Sequence, residues 1–217
     1  VVRIEKITGN NDNSDNTKSS TLRSGDLATL TEWDITGLNS GTVTYGVARD
    51  EMEFVNFNNI EGGTGDDTFT VSGGDIKGSI TGGNGGGIDS VDYSANGKDI
   101  TIGADTDGIT QIERVIGNGL GSTIKGLDTP TYTWTINDTF GDGVNDGRVV
   151  GGGENLLFID FANIVGGNNV DTFDISGNSS VTGTISGGDG SDIINLALTG
   201  FESGGFTFVG GLGNSDT

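Results

Sequence analysis

Residues 56–73 read NFNNIEGGTGDDTFTVSG, and residues 160–177 read DFANIVGGNNVDTFDISG. Set against each other at an offset of 104, the two stretches agree at ten of eighteen positions. The likeness extends in both directions. RIEKITGN at 3–10 returns as QIERVIGN at 111–118, and Trp33-Asp34-Ile35 returns as Trp134-Thr135-Ile136. IKGSITGGNG at 76–85 returns as VTGTISGGDG at 181–190. The offset drifts by a few residues along the way, so the copies differ by small insertions. The chain is therefore built as two copies of about 100 residues, at 1–110 and 111–217, the second running into the start of a further repeat at about 206–217. Repetition serves reach, surface or multivalency, and a single active site does not need it.

A finer beat runs inside each copy. Gly-Gly pairs begin at 62 and 82, and again at 166, 187 and 210. Between them lie short segments rich in Thr, Val, Ile and Phe: DTFTV at 67–71, IKGSI at 76–80, SVDY at 90–93 and DITI at 99–102. The second copy supplies DTFDI at 171–175, VTGTI at 181–185 and DIINLAL at 192–198. Each is bounded by Gly, Asn or Asp, the signature of a strand between turns. No stretch has convincing helical periodicity.

The expected fold is all-β, a parallel β-solenoid made of two repeats of about 100 residues. Coils of about 20 residues would stack at roughly 4.8 Å each. The alternative is two tandem β-sandwich modules, for which 100 residues is a suitable size. Phe69 and Phe173, Val71 and Ile175, and Ile80 and Ile185 are expected at equivalent buried positions. Leu156–Ile159 with Phe161, matched by Met52, Phe54, Val55 and Phe57, are expected to form the thickest part of the core.

Composition narrows the function. The chain of 217 residues carries 31 acidic and 10 basic residues, a net charge of −21. Such a surface repels nucleic acid and anionic membrane and attracts divalent cations. There is no Cys and no His, which removes thiol–imidazole and serine–histidine catalysis and the usual zinc and haem ligands. No apolar run approaches the roughly 20 residues that span a bilayer. Gly accounts for 42 residues and Pro for one. The ten basic residues are scattered, and no long unrepeated loop rich in aromatic and basic residues marks a catalytic cleft. The reading is not an enzyme. The absence of a signal peptide and an initiator Met, with a final GGLGNSDT at 210–217, fits a slice of a longer repeat array.

GGTGDDTFT at 62–70 and GGDGSDIIN at 187–195 match G-G-x-G-x-D-x-U-x, where U is a large apolar residue. GGNNVDTFD at 166–174 is a near match, and GGNGGGIDSV at 82–91 matches with two residues inserted. These turns resemble the calcium-binding nonapeptides of repeats-in-toxin proteins. The resemblance implies Asp67 and Asp192 as ligands, Gly63, Gly65, Gly188 and Gly190 as turn formers, and Phe69 and Ile194 as inward residues. The family sets its motifs nine residues apart, whereas here they stand about 20 or 100 apart. Two readings stay open: Ca2+ held by Asp66, Asp67 and Asp89 in one copy and by Asp171, Asp189 and Asp192 in the other, or the same Asp residues capping glycine turns with no metal. Asp105, Asp107 and Glu113, the group Asn11, Asn13 and Asp15, and the pair Asp142 and Asp146 read as solvated turns.

NFNNIEGGTGDDTFTV followed by ITGGNGGGIDSVDYS also resembles the repeat regions of large bacterial surface proteins, haemagglutinin-like and biofilm adhesins. That resemblance covers most of the chain. It implies an extended extracellular stalk or fibre-forming unit, secreted or displayed on a bacterial cell surface. The partners it implies are further copies of the same repeat or subunit end to end, with cell-surface polysaccharide or a host or biofilm matrix beyond. Nucleic acid binding and membrane insertion are not expected. The alternative function is a carbohydrate-active β-helix domain that binds or cleaves polysaccharide.

Overall fold

A computed structural model describes residues 5–10, 19–25, 30–46, 49–102, 108–137, 144–199 and 206–211. All regular structure among them is strand. In chain order the strands are β1 (Lys6–Thr8), β2 (Thr21–Arg23), β3 (Thr31–Gly37), β4 (Ser40–Tyr45), β5 (Asp50–Val55), β6 (Asn59–Glu61), β7 (Asp67–Val71), β8 (Ile80–Thr81), β9 (Ser90–Asp92), β10 (Ile100–Thr101) and β11 (Ile109–Thr110). There follow β12 (Arg114–Ile116), β13 (Thr123–Lys125), β14 (Tyr132–Ile136), β15 (Gly147–Gly151), β16 (Glu154–Ile159), β17 (Asn163–Gly167), β18 (Thr172–Gly177), β19 (Thr184–Gly188), β20 (Ile193–Leu198) and β21 (Thr207–Val209). No helix among the described residues is long and apolar enough to cross a membrane.

The chain divides into two compact units, Val1–Asn96 with Gly108–Glu113, and Gly97–Asp107 with Arg114–Thr217. Their strand orders correspond. In unit 1 one sheet runs β1-β5-β4-β3-β7-β9, and in unit 2 its counterpart runs β12-β16-β15-β14-β18-β20. A second, all-parallel sheet holds β2, β6, β8 and β11 in unit 1, and β10, β13, β17, β19 and β21 in unit 2.

The parallel register carries the 20-residue beat. Ile60 pairs with Ile80, and Phe69 with Val91. Ile164 pairs with Ile185, and Phe173 with Ile194. Steps of 20 to 22 residues thus separate stacked neighbours. The step lengthens where a meander intervenes, so Trp33 pairs with Phe69 and Trp134 with Phe173. That meander, β3-β4-β5 or β14-β15-β16, is antiparallel. The two meanders hold the antiparallel pairs among the described residues. Sandwich modules would be antiparallel throughout, so the mostly parallel ladders go against the tandem-sandwich alternative.

Alternation then sets the core. Along β7 (DTFTV) every second residue is buried, and β14 (YTWTI) repeats the pattern. Phe69, Phe173, Val71, Ile175, Ile80 and Ile185 are all buried, in matched positions as expected. At the heart of unit 1, Trp33 stacks on Phe69 with ring centroids 5.7 Å apart and meets Phe54 edge-on, also at 5.7 Å. Unit 2 repeats this with Trp134 stacked on Phe173 at 6.1 Å and edge-on to Phe158 at 5.9 Å. Such pairs add about 0.5–1.5 kcal/mol each beyond their burial. The apolar run at 156–161 contributes less than expected. Leu156, Phe158 and Phe161 are buried, but Leu157 and Ile159 lie on the opposite, partly exposed face.

Candidate functional site: carboxylates stacked at the glycine turns

The Gly-Gly turns at 62, 82, 166 and 187 each lead within a few residues to an Asp at or beside the start of a strand. In a parallel ladder, that Asp lies beside its counterpart on the neighbouring strand. Four amide–carboxylate bonds follow from this placement, two of them between such Asp residues. The Asp67 amide donates to Asp89 Oδ1 at 2.8 Å, and the Asp171 amide donates to Asp192 Oδ1 at 2.9 Å. One step earlier in unit 2, the Tyr132 amide donates to Asp171 Oδ1 at 2.6 Å. In unit 1 the ladder ends on Glu113, whose Oε2 accepts from the Asp89 amide at 2.8 Å. Within the turn itself, the Gly63 amide donates to Asp67 Oδ2 at 2.7 Å.

The glycines are the counterpart of these carboxylates. A Cβ on Gly62 would collide with the Asp67 carboxylate, on Gly82 with Asp89, on Gly166 with Asp171, and on Gly187 with Asp192. The second glycine packs on backbone of the preceding turn: Gly83 against the Gly63 carbonyl and Gly188 against the Gly167 carbonyl, both at positive φ. The first Gly makes room for the carboxylate, and the second lets the backbones approach closely. The G-G-x-x-x-D spacing at 62–67, 166–171 and 187–192 therefore has a cause in the fold itself.

Burial gives the ladder its electrostatic character. Asp67, Asp171 and Asp192 are at most 1% exposed and Asp89 is 5% exposed. Burial pushes the Asp89 carboxyl up to about 6, with Asp67, Glu113 and Asp66 adding like charge and the Asp67 amide opposing. Burial likewise pushes Asp171 up to about 6, with Asp192 adding to it and the Tyr132 amide opposing. Asp67 is raised for the same first reason, against the Gly63 amide and Thr31. Asp171 Oδ2 is buried with no hydrogen-bond partner among the described residues. An uncompensated buried carboxylate is costly, and taking up a proton relieves it.

The six expected metal ligands fall into two groups. Asp67, Asp89, Asp171 and Asp192 belong to the buried ladders. Asp66 and Asp189 are exposed. Asp66 Oδ1 accepts the Ile88 amide at 2.9 Å, and Asp189 contributes its own amide to the Gly167 carbonyl at 2.9 Å. Among the described residues, no group of three or more His, Cys, Asp or Glu side chains is placed to hold a metal ion. Of the expected inward residues, Phe69 is fully buried and Ile194 is half-buried. Asp146 is a correction. It is 1% exposed rather than solvated, and its Oδ1 accepts the Asp160 amide at 3.0 Å. The groups at Asn11–Asp15 and Asp105–Asp107, and Asp142, lie outside the described residues.

A second ladder has no counterpart in the expectations. Asn39 and Asn145 are buried at φ 54° and 61° in matching turns. Asn39 Oδ1 accepts the Lys77 amide at 2.9 Å, and Asn145 Oδ1 accepts the Thr182 amide at 2.7 Å. Their own amides donate to the Asp75 and Ser180 carbonyls, both at 2.8 Å, and their carbonyls accept from Phe57 and Phe161. Asn59 and Asn163 do the same for the Ser79 and Thr184 amides. The signal was present in the sequence as Asn39-Ser40-Gly41 against Asn145-Asp146-Gly147.

Unit 1 also has a cavity beside Trp33 and a groove of about 440 Å³ over Glu32, Asp34, Thr42, Thr44, Thr68 and Thr70. Neither is lined by a ladder carboxylate. Comparison of the chain with protein-family models, curated proteins and solved structures gives no match.

Proposed function

We propose that this chain is a structural, non-catalytic repeat segment: a parallel β-solenoid that acts as an extracellular stalk or fibre-forming unit of a bacterial adhesin or surface filament. The observation that supports this reading most is the pair of ladders, one of Asp and one of Asn, made in both units between equivalent residues. The chain spends its buried polar groups on joining one coil to the next. That arrangement suits a modular rod, whose stability is a sum of coil and interface terms. Further copies of the same repeat or subunit, end to end, are the proposed partners. Exposed Ile193 and Leu196 on β20 supply apolar surface for such a contact. Calcium at the six aspartates remains part of the proposal, as a second way to offset the buried like charge. Electron microscopy of the purified protein, with and without calcium, tests the reading. Rods or end-to-end fibres support it, and compact globes under both conditions oppose it.

A second reading, polysaccharide binding, rests on the groove of unit 1. Its walls set hydroxyls of Thr42, Thr44, Thr68 and Thr70 beside the carboxylates of Glu32 and Asp34, groups that hydrogen-bond sugar hydroxyls. Titration with bacterial surface polysaccharides, and loss of binding in Thr44→Val, separate it from the first reading.

A further inference from the structure

The two units differ at a buried position beside the stacked Trp. In unit 2, Tyr132 stands where unit 1 has Thr31, since each lies two residues before the stacked Trp on its strand. The Tyr132 ring is 2% exposed, with its centroid 6.1 Å from that of Trp134, and its hydroxyl oxygen accepts the Leu127 amide at 3.4 Å. Two glycines admit the ring. A Cβ on Gly126 or on Gly151 would come within 2.7 Å of it. In unit 1 the matching positions are Ser24 and Tyr45, from the offset of Leu22 against Ile124 and from the cross-strand pairing.

With Thr31 in place of a tyrosine, unit 1 keeps a cavity of about 160 Å³. Leu22, Trp33, Val43, Tyr45 and Met52 line it, and Ser24 joins them. The Ser24 hydroxyl oxygen is buried with no hydrogen-bond partner among the described residues. A dry apolar cavity of about 150 Å³ takes one benzene ring, and the space is too small for a drug-sized ligand.

We propose that this cavity of unit 1 is a binding site for a small single-ring phenol, held beside Trp33 and short of the place of the Tyr132 ring, which the Cβ atoms of Ser24 and Tyr45 close in unit 1. The ring packs against Trp33 and Met52, and its hydroxyl pairs with Ser24. This proposal is independent of the structural role above and stands or falls separately.

Met52 is the single methionine of the chain, so protein labelled with ¹³C at the methionine methyl gives one resonance that reports on the cavity. Titration with p-cresol is expected to shift that resonance saturably, with intermolecular NOEs from the p-cresol ring to the Met52 methyl and the Trp33 indole. Cyclohexanol, which is thicker and not aromatic, is expected to bind at least tenfold more weakly. The triple variant Ser24→Gly, Thr31→Tyr, Tyr45→Gly transplants the filled arrangement and is expected to abolish binding. The NOEs on the unmodified protein decide the matter even where that variant fails to fold. No saturable shift up to the solubility limit, NOEs to other residues, equal binding of cyclohexanol, or full binding by a folded triple variant would overturn the proposal.

Discussion

The amide of Asp67 donates to the carboxylate of Asp89 at 2.8 Å, across 22 residues of chain, and the amide of Asp171 does the same to Asp192 at 2.9 Å across 21. Asp67 is itself both the cap of its own glycine turn, through the Gly63 amide, and an acceptor for Thr31 on the preceding parallel strand. The ladder carboxylates stand against one another, so the bonds that join neighbouring strands also stack like charges.

Removal of the acceptor should be felt as a buried amide left without a partner. Asp192→Ala is expected to destabilise unit 2 by about 1–3 kcal/mol, read as a lower denaturant midpoint at unchanged slope. Asp192→Asn keeps an acceptor oxygen and should recover most of the loss. Equal stability of all three proteins would remove the ladder as a source of stability.

The raised carboxyls set the sign of the pH dependence. Asp89 and Asp171 titrate at about 6 in the fold, above the usual carboxylate value. Their protonated forms therefore favour folding, so this stability is present at low pH and is lost as pH rises through about 6. The melting temperature should be higher at pH 5 than at pH 7.5. A discounted effect of about 1 kcal/mol corresponds to roughly 2–4 °C for a chain of this size. Asp89→Asn with Asp171→Asn should flatten the profile. A melting temperature that climbs from pH 5 to 7.5 has the wrong sign for this account.

Calcium acts on the same charge. On the calcium reading, transfer from chelator to excess calcium raises the melting temperature, by about 2.7 kcal/mol of stability at a hundredfold excess over Kd. The gain should be larger at pH 7.5 than at pH 5, where protons already occupy the ladder. An unchanged midpoint at both pH values removes Asp66, Asp67, Asp89, Asp171, Asp189 and Asp192 as ligands.

The glycine columns make a sharper contrast. Gly82→Ala puts a methyl into the Asp89 carboxylate and the Gln111 carbonyl, and should destabilise by about 1–3 kcal/mol, as overpacking does. A Cβ on Gly86 meets nothing within 4 Å, so Gly86→Ala should stay within about 0.5 kcal/mol of the parent. Thermal unfolding of the two variants side by side checks the pair.

Much of this was legible in the sequence, and the limits have physical causes. The strand at 67–71 and its copy at 171–175 could be read because Phe69 and Phe173 alternate with Thr and Asp, and only one face of such a strand is buried. The Gly-Gly spacing matches the step between stacked strands, because parallel strands 20 to 22 residues apart need their tight turns at the same place. The meander was not legible. Its first pairing in unit 1 follows from the turn at Asn39, where a single buried Asn at positive φ lies between β3 and β4, and such a residue has no hydrophobic pattern to announce it. The run Leu156–Ile159 is apolar on both faces, so alternation could not say that Leu157 and Ile159 point away from Trp134. The carboxylates were found as a motif but read as metal ligands or turn caps. That one Asp serves the amide of the preceding parallel strand depends on register, which no single motif contains.

The central claim is that neighbouring parallel strands are joined through the carboxylate ladder. Residue-resolved amide hydrogen exchange tests it most directly. The Asp67, Tyr132 and Asp171 amides are predicted to exchange as slowly as those of the core strands β7 and β18. Asp89→Ala should accelerate Asp67 selectively, and Asp192→Ala should accelerate Asp171. Amides at 67, 132 and 171 that exchange at the rate of exposed turns, and do not respond to those substitutions, would contradict it.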